Sequence, residues 1–198
     1  MSKLETNTID TVSWTSTLQV GSTNTSTITL GVSGDTINVP SGVTIANSGT
    51  ATGFAANTPA FVAYKTSNQS ISNSSTTKVT FEAEQLDSGS VYNTSNSRFT
   101  PGVAGYYWIG ARWRYDTGTD FDSAGYYLYK NGSIIAKSVF INQNSNGSFL
   151  NLVVQSDADD YFEMYANQNS GGSVNINGDG TYPEQDQAQF FAFRIIGT

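Results

Sequence analysis

Among residues able to do chemistry in this chain, Asn175, Asn177, Asp179 and Asp186 have the most suggestive spacing. They take the first, third, fifth and twelfth places of a twelve-residue window with Gly180 at the sixth, the ligand order of a calcium loop. Calcium takes about six to eight oxygens, and a glycine lets the backbone turn around the ion. Here, however, Asn stands for Asp at two places, and Asp186 for the usual bidentate Glu. In a chain rich in Asn and Gly such spacing arises by composition, so a solvated loop is the expectation and a calcium site the alternative. Asp157-Ala158-Asp159-Asp160 is a second acidic group. Asp and Asn cap turns by bonding nearby backbone, which favours a structural role there. A third, running from Asp116 to Asp122, is expected to be a solvated rim. Paired carboxylates can hydrolyse glycosides, but nothing sets one acid in an apolar pocket opposite another. Arg112-Trp113-Arg114-Tyr115 alternates cations with aromatics. That alternation suits a cation–π or sugar-binding strand, or a strand whose guanidinium groups lie at a subunit boundary, and the second is expected.

What is missing narrows the chemistry further. The chain has neither His nor Cys. This excludes a Ser-His-Asp triad, a thiolate nucleophile, a disulfide framework, and zinc sites built on thiolate or imidazole. Nine Lys and Arg face sixteen Asp and Glu, for a net charge of −7, which repels a phosphate backbone, so no nucleic-acid partner is expected. No apolar run approaches the roughly 18 residues of a membrane span. The first residues, MSKLETNTID, lack the apolar stretch of a signal peptide. The Asn-x-Ser sequons, such as Asn93-Thr94-Ser95, are accounted for by composition.

The elements that would carry these residues are strands. Ser, Thr, Asn and Gly number 25, 24, 18 and 19, a mixture that could signal disorder, but 11 Tyr, 11 Phe and 3 Trp argue against it. Thr and aromatics favour strands, while Ser, Asn and Gly favour tight turns. The fold class is all-β. Trp14 and Phe54 are the only aromatics in residues 1–58. Residues 59–198 therefore hold nearly all the material for a core, and a boundary is expected near Thr58-Pro59. The first part repeats an apolar-polar-apolar unit followed by a turn: Leu18-Gln19-Val20, Ile28-Thr29-Leu30, Ile37-Asn38-Val39 and Val43-Thr44-Ile45. Two apolar side chains per strand cannot be buried within one copy, whereas three copies wound about an axis could share a core. A flexible linker is the alternative. Residues 30–54 resemble a repeat in structural proteins of tailed bacteriophages, especially marine ones.

From Pro59 onward strand signals recur at about 60–66, 78–85, 90–93, 97–100, 105–115, 125–130, 133–141, 148–155, 160–166, 173–177 and 189–196. Asn131-Gly132 marks the clearest hairpin. Phe81, Asp87, Tyr92, Phe99, Gly105 and Tyr107 fall at the spacings of the C1q-like signature, and Phe190, Phe191 and Phe193 supply the closing aromatic strand. Residues 59–198 thus resemble the C1q/TNF-like family, with Ile109 and Ala111 where the family usually has aromatics. The resemblance implies an antiparallel jelly-roll sandwich, a tight homotrimer with aromatics at its axis, and a binding module without catalytic activity. Phe81, Tyr92, Phe99, Gly105, Tyr107, Phe191 and Phe193 would be its core and trimer signature. Independently, the alternation Tyr107-Ile109-Ala111-Trp113-Tyr115 and the run Phe191-Phe193-Ile195 beside Phe190-Ala192 leave apolar side chains on both faces of a strand. Such a strand needs cover on both sides.

These features point to a non-enzymatic bacteriophage virion protein, a trimeric fibre, spike or capsid decoration. Residues 1–58 would form an anchoring β-ribbon stalk that meets other virion proteins. The C1q-like head would project outward, its polar loops able to adhere to a host-surface glycan or receptor. The rival is a free C1q-like lectin or adhesin assisted by Ca2+. No other cofactor is expected.

Overall fold

A computed structural model describes residues 20, 27–30, 33–46, 48, 58–115, 118–143, 147–178 and 188–195, with backbone only for 142, 143, 147 and 148. The chain divides into two units, Met1–Thr52 and Gly53–Thr198.

In the first unit, turns fall at Ser33-Gly34 and Ser41-Gly42. Val43 N–H donates to Pro40 O at 3.2 Å, and Gly42 sits at φ 86°, the arrangement of a type II turn. The flanking triplets do not form strands as expected. Ile28-Thr29-Leu30, Ile37-Asn38-Val39 and Val43-Thr44-Ile45 carry no ladder. A strand needs a second backbone to pair with, and the described residues of this unit supply none. Their side chains stay open, Leu30 at 65% and Ile45 at 67% exposure. Leu18 and Gln19 lie outside the described residues.

The second unit is a β-sandwich. Its strands are β1 (Ala60–Tyr64), β2 (Gln69–Ile71), β3 (Thr77–Lys78), β4 (Ala83–Ser88), β5 (Tyr92–Asn93), β6 (Arg98–Phe99) and β7 (Gly105–Arg114). They continue with β8 (Phe121–Lys130), β9 (Ser133–Gln143), β10 (Gly147–Ser156), β11 (Phe162–Asn169), β12 (Val174–Ile176) and β13 (Gln189–Ile195). One sheet runs β10-β7-β13-β1-β4; the other runs β5-β6-β11-β8-β9, with β3 also on β11. A small β12-β2 ladder stands apart. All pairings are antiparallel. Asn131 and Gly132 take φ 52° and 78° between β8 and β9, as a type I′ hairpin requires.

The architecture departs from expectation in three places. The single strand expected over 78–85 is two, β3 and β4, because each pairs in a different sheet. The ladder residues of β2, Gln69-Ser70-Ile71, are too short and polar to signal a strand and are held by register with β12. Third, β8 starts at Phe121, inside the acidic stretch expected to be a rim. Phe121 is buried against Tyr115 at 5.1 Å between ring centroids, and its burial draws the chain into the sheet.

The core lies between the two sheets. Phe61 on β1 stacks on Tyr92 at 4.8 Å and meets Phe99 at 4.7 Å and the edge of Phe190 at 4.9 Å. Trp113 and Tyr126 stack at 3.9 Å further along, and the Tyr126 hydroxyl donates to Trp113 O. Such rings each bury roughly 150–250 Å² and dominate the cohesion of the sandwich.

Candidate functional site

The signature residues divide by role. Phe81, Tyr92, Phe99 and Tyr107 are buried in the core. Asp87 holds the turn into β5, its two carboxylate oxygens accepting from Val91 N–H at 2.9 Å and Tyr92 N–H at 3.2 Å. Tyr92 then donates its hydroxyl to Phe81 O at 3.1 Å, tying both to one spot. Gly105 opens β7 beside Arg194. Phe191 and Phe193 point the other way. Along β13, Phe190 and Ala192 are buried and Phe191, Phe193 and Ile195 alternate with them on the opposite side.

That opposite side is an apolar face built by register. One row across the sheet is Asn151, Gly110, Phe191, Val62 and Leu86. The next is Val153, Trp108, Phe193 and Ala60, and Tyr106 and Ile195 follow. Trp108 meets Phe191 edge-on at 5.3 Å and Phe193 at 6.2 Å, and the two phenylalanines are 5.9 Å apart. Gly110 makes room for this cluster, since a Cβ there would lie 2.6 Å from Phe191 Cζ. Trp108 is 44% exposed, and Phe149 and Val153 on the neighbouring edge strand are more open still. Among the described residues nothing covers this face. Arg112 borders it, donating Nε–H to Gln189 at 3.1 Å. A contiguous apolar patch rimmed by polar groups is the usual mark of an interaction surface.

A second exposed apolar row, missed in sequence, lies on edge strand β9: Ile135, Val139 and Ile141. Ala136 and Phe140, between them in sequence, pack against the core, so Val139-Phe140-Ile141 is apolar on both faces of the strand. That β9 is an edge, leaving them uncovered, follows from sheet order, which no local pattern encodes.

The remaining candidates are structural or lie outside the described residues. Asp160 caps its turn, accepting from Asp157 N–H and Lys130 Nζ at 2.6 Å each and from Asn131 Nδ2 at 2.6 Å. Burial alone would raise its carboxyl, but the bonds from Lys130, the Asp157 backbone and Asn131 outweigh burial and hold it at about 2. Of the possible calcium loop, Asn175 lies in β12 opposite Ser70, and Asn177 N–H donates to Arg114 O at 2.9 Å. Asn175 is thus in a ladder and Asn177, just past it, is tied to β7 through its backbone, while Asp179 and Asp186 lie outside the described residues. Among the described residues no group of three or more acidic side chains is placed to hold a metal ion. A buried cation does occur. Lys65 donates to Thr80 O at 2.8 Å and pairs with Glu82 at 3.0 Å, and burial pushes its ammonium below the usual lysine range against the pull of Glu82.

No protein-family model matches the sequence, and no curated protein is significantly similar to it. Solved structures are similar in fold. The globular domain of zebrafish complement 1qA protein covers 70% of this chain and 98% of its own, at 15% identity and TM-score 0.48. Murine APRIL at pH 5.0 gives TM-score 0.51 at 11% identity, with 69% of this chain and 99% of that one covered. At pH 8.5 the corresponding values are 0.50, 12%, 69% and 99%. At that identity the likeness speaks for fold alone, and together with the two antiparallel sheets it makes the second unit a jelly roll of the C1q/TNF-like type.

Proposed function

We propose that this chain is a non-enzymatic structural protein of a bacteriophage virion, a homotrimeric fibre, spike or capsid decoration. The observation that carries the trimer is the uncovered aromatic face around Trp108, Phe191 and Phe193. An uncovered face of this kind is an aggregation hazard unless a partner occupies it, and the C1q/TNF-like resemblance implies that two further copies do. Exposed edge residues Ile135, Val139 and Ile141 supply a second patch, so a face-to-edge contact repeated around a threefold axis closes a ring. The virion placement rests on the first unit. Its Ser-Gly turns and open Ile, Val and Leu side chains suit a ribbon completed only by other copies, and the repeat resembles phage structural proteins. Residues 1–58 serve as the anchor to other virion proteins. Polar loops of the head, present three times, give avidity for a host-surface glycan.

Light scattering on the full chain tests the assembly, with a species three times 21.2 kDa expected and a monodisperse monomer refuting it. Immunogold labelling of the source particle tests the placement. Label over the capsid makes the protein a decoration, label on the tail makes it a receptor-binding fibre, and unlabelled virions overturn the phage reading.

A further inference from the structure

Arg194 faces inward on β13, opposite the aromatic surface, where the two sheets part. The start of β1, the end of β4 and the loop from β6 to β7 converge there around a recess of about 520 Å³. Its lining includes Thr58, Ser88, Ser90, Thr100 and Arg194, and Arg194 is the only charged residue among them. The guanidinium is poorly satisfied. Nη1 donates to Thr58 O at 3.5 Å and Nη2 to Ala104 O at 3.3 Å, both at the long limit, and the buried Nε–H has no acceptor. Among the described residues no carboxylate pairs with it. Gly105 lets the group pack closely on β7, since a Cβ there would stand 3.2 Å from Nε and 3.7 Å from Nη2.

We propose that this recess binds a carboxylate-bearing sugar of about hexuronic-acid size, with Arg194 as its anchor. A guanidinium has five N–H donors in a planar fork, and a carboxylate presents two coplanar oxygens that match it. An acceptor in the recess replaces the two long bonds of the Nη groups, to Thr58 O and Ala104 O, by a charge-assisted pair. The volume falls in the range of small-ligand clefts, roughly 300–1,000 Å³. The hydroxyls of Ser90, Thr58 and Thr100 supply the polar contacts that a sugar ring needs. Charge selects the anion further. In a chain of net charge −7 the surrounding field penalises a dianionic phosphate more than a monoanionic carboxylate. The site lies on the inner side of β13, opposite the aromatic face, and its assignment does not rest on the virion reading.

The test is an amide-shift titration of the full chain with D-glucuronate, with D-glucose as the neutral counterpart and sodium sulfate as the generic anion. Shifts are expected at residues 88–90, 100–105 and 194 with glucuronate and not with glucose. Arg194→Gln is expected to weaken binding roughly 10- to 100-fold, the loss of a charge-assisted bidentate pair, with the thermal melt confirming that it folds. Glucuronate shifts that fall elsewhere, that are absent, or that glucose reproduces overturn the proposal on the wild-type protein alone. Unchanged affinity in Arg194→Gln overturns it too. Sulfate binding as tightly as glucuronate reduces the recess to an unselective anion hole and overturns the sugar-acid assignment.

Discussion

For the proposed trimer, replacing Trp108 by Ser separates assembly from folding, because the indole lies on the outer face of β7 while its neighbours Tyr107 and Ile109 hold the core. Trp108 is 44% exposed in the single chain. For a side chain of about 250 Å² that leaves about 110 Å² to be covered by a partner. At about 25 cal/mol per Å² this is about 2.7 kcal/mol per copy, or about 8 kcal/mol per trimer. The midpoint concentration for dissociation of a trimer scales as the square root of its dissociation constant. The variant therefore dissociates at about a thousandfold higher concentration than wild type. Sedimentation velocity across a dilution series reads the midpoint, and far-ultraviolet dichroism checks that the sandwich persists. A folded Trp108→Ser trimer that dissociates where wild type does would refute the reasoning, and so would a wild-type monomer at all concentrations.

Three other perturbations follow from particular contacts. Asp160→Asn removes charge-assisted bonds to Lys130 and the Asp157 backbone and costs about 1.5–3 kcal/mol at pH 7 by denaturant titration. The folded carboxyl sits at about 2 against about 3.9 unfolded, so this contribution is complete above about pH 5 and is lost as pH falls through about 2. The gap between variant and wild type should close over that interval. Gly178→Ala places a Cβ 2.1 Å from the Ser67 carbonyl oxygen, a backbone atom that cannot swing away, and a loss of about 1–3 kcal/mol is expected in a thermal melt. Glu82→Gln leaves the buried Lys65 ammonium without its counter-charge. Because Glu82 is one-third exposed and water can reach the site, a loss of about 1–3 kcal/mol is expected in chemical denaturation, below the cost for a wholly buried pair.

Much of the jelly roll is legible in sequence because its signals are local. Asn131-Gly132 announces a hairpin with its own φ requirement, and β7 and β13 announce apolar side chains on both faces, of which the sandwich core covers one. The signature positions also have physical content, as Asp87 shows by holding the turn that delivers Tyr92 to the core. What is not local is not legible. The short β2 exists only because β12 lies beside it, and the division of 78–85 between two sheets depends on partners far along the chain. The Arg194 recess is the extreme case, since four segments distant in sequence meet there and the one informative residue is a single arginine at a strand end. In the first unit the alternation is plain, yet it yields no ladder in one chain, because periodicity specifies a strand's faces and not its partner.

The position of β1 has a mechanical consequence. The chain enters the sandwich at Pro59 and runs directly into a strand flanked on both sides, by β13 and by β4, with five residues in register with each. Tension arriving through the preceding chain, with the rest of the domain held fixed, draws β1 lengthwise between two ladders. Both must then shear together, instead of parting bond by bond as an edge strand would. Load entering the second unit through this segment is therefore resisted by two ladders at once.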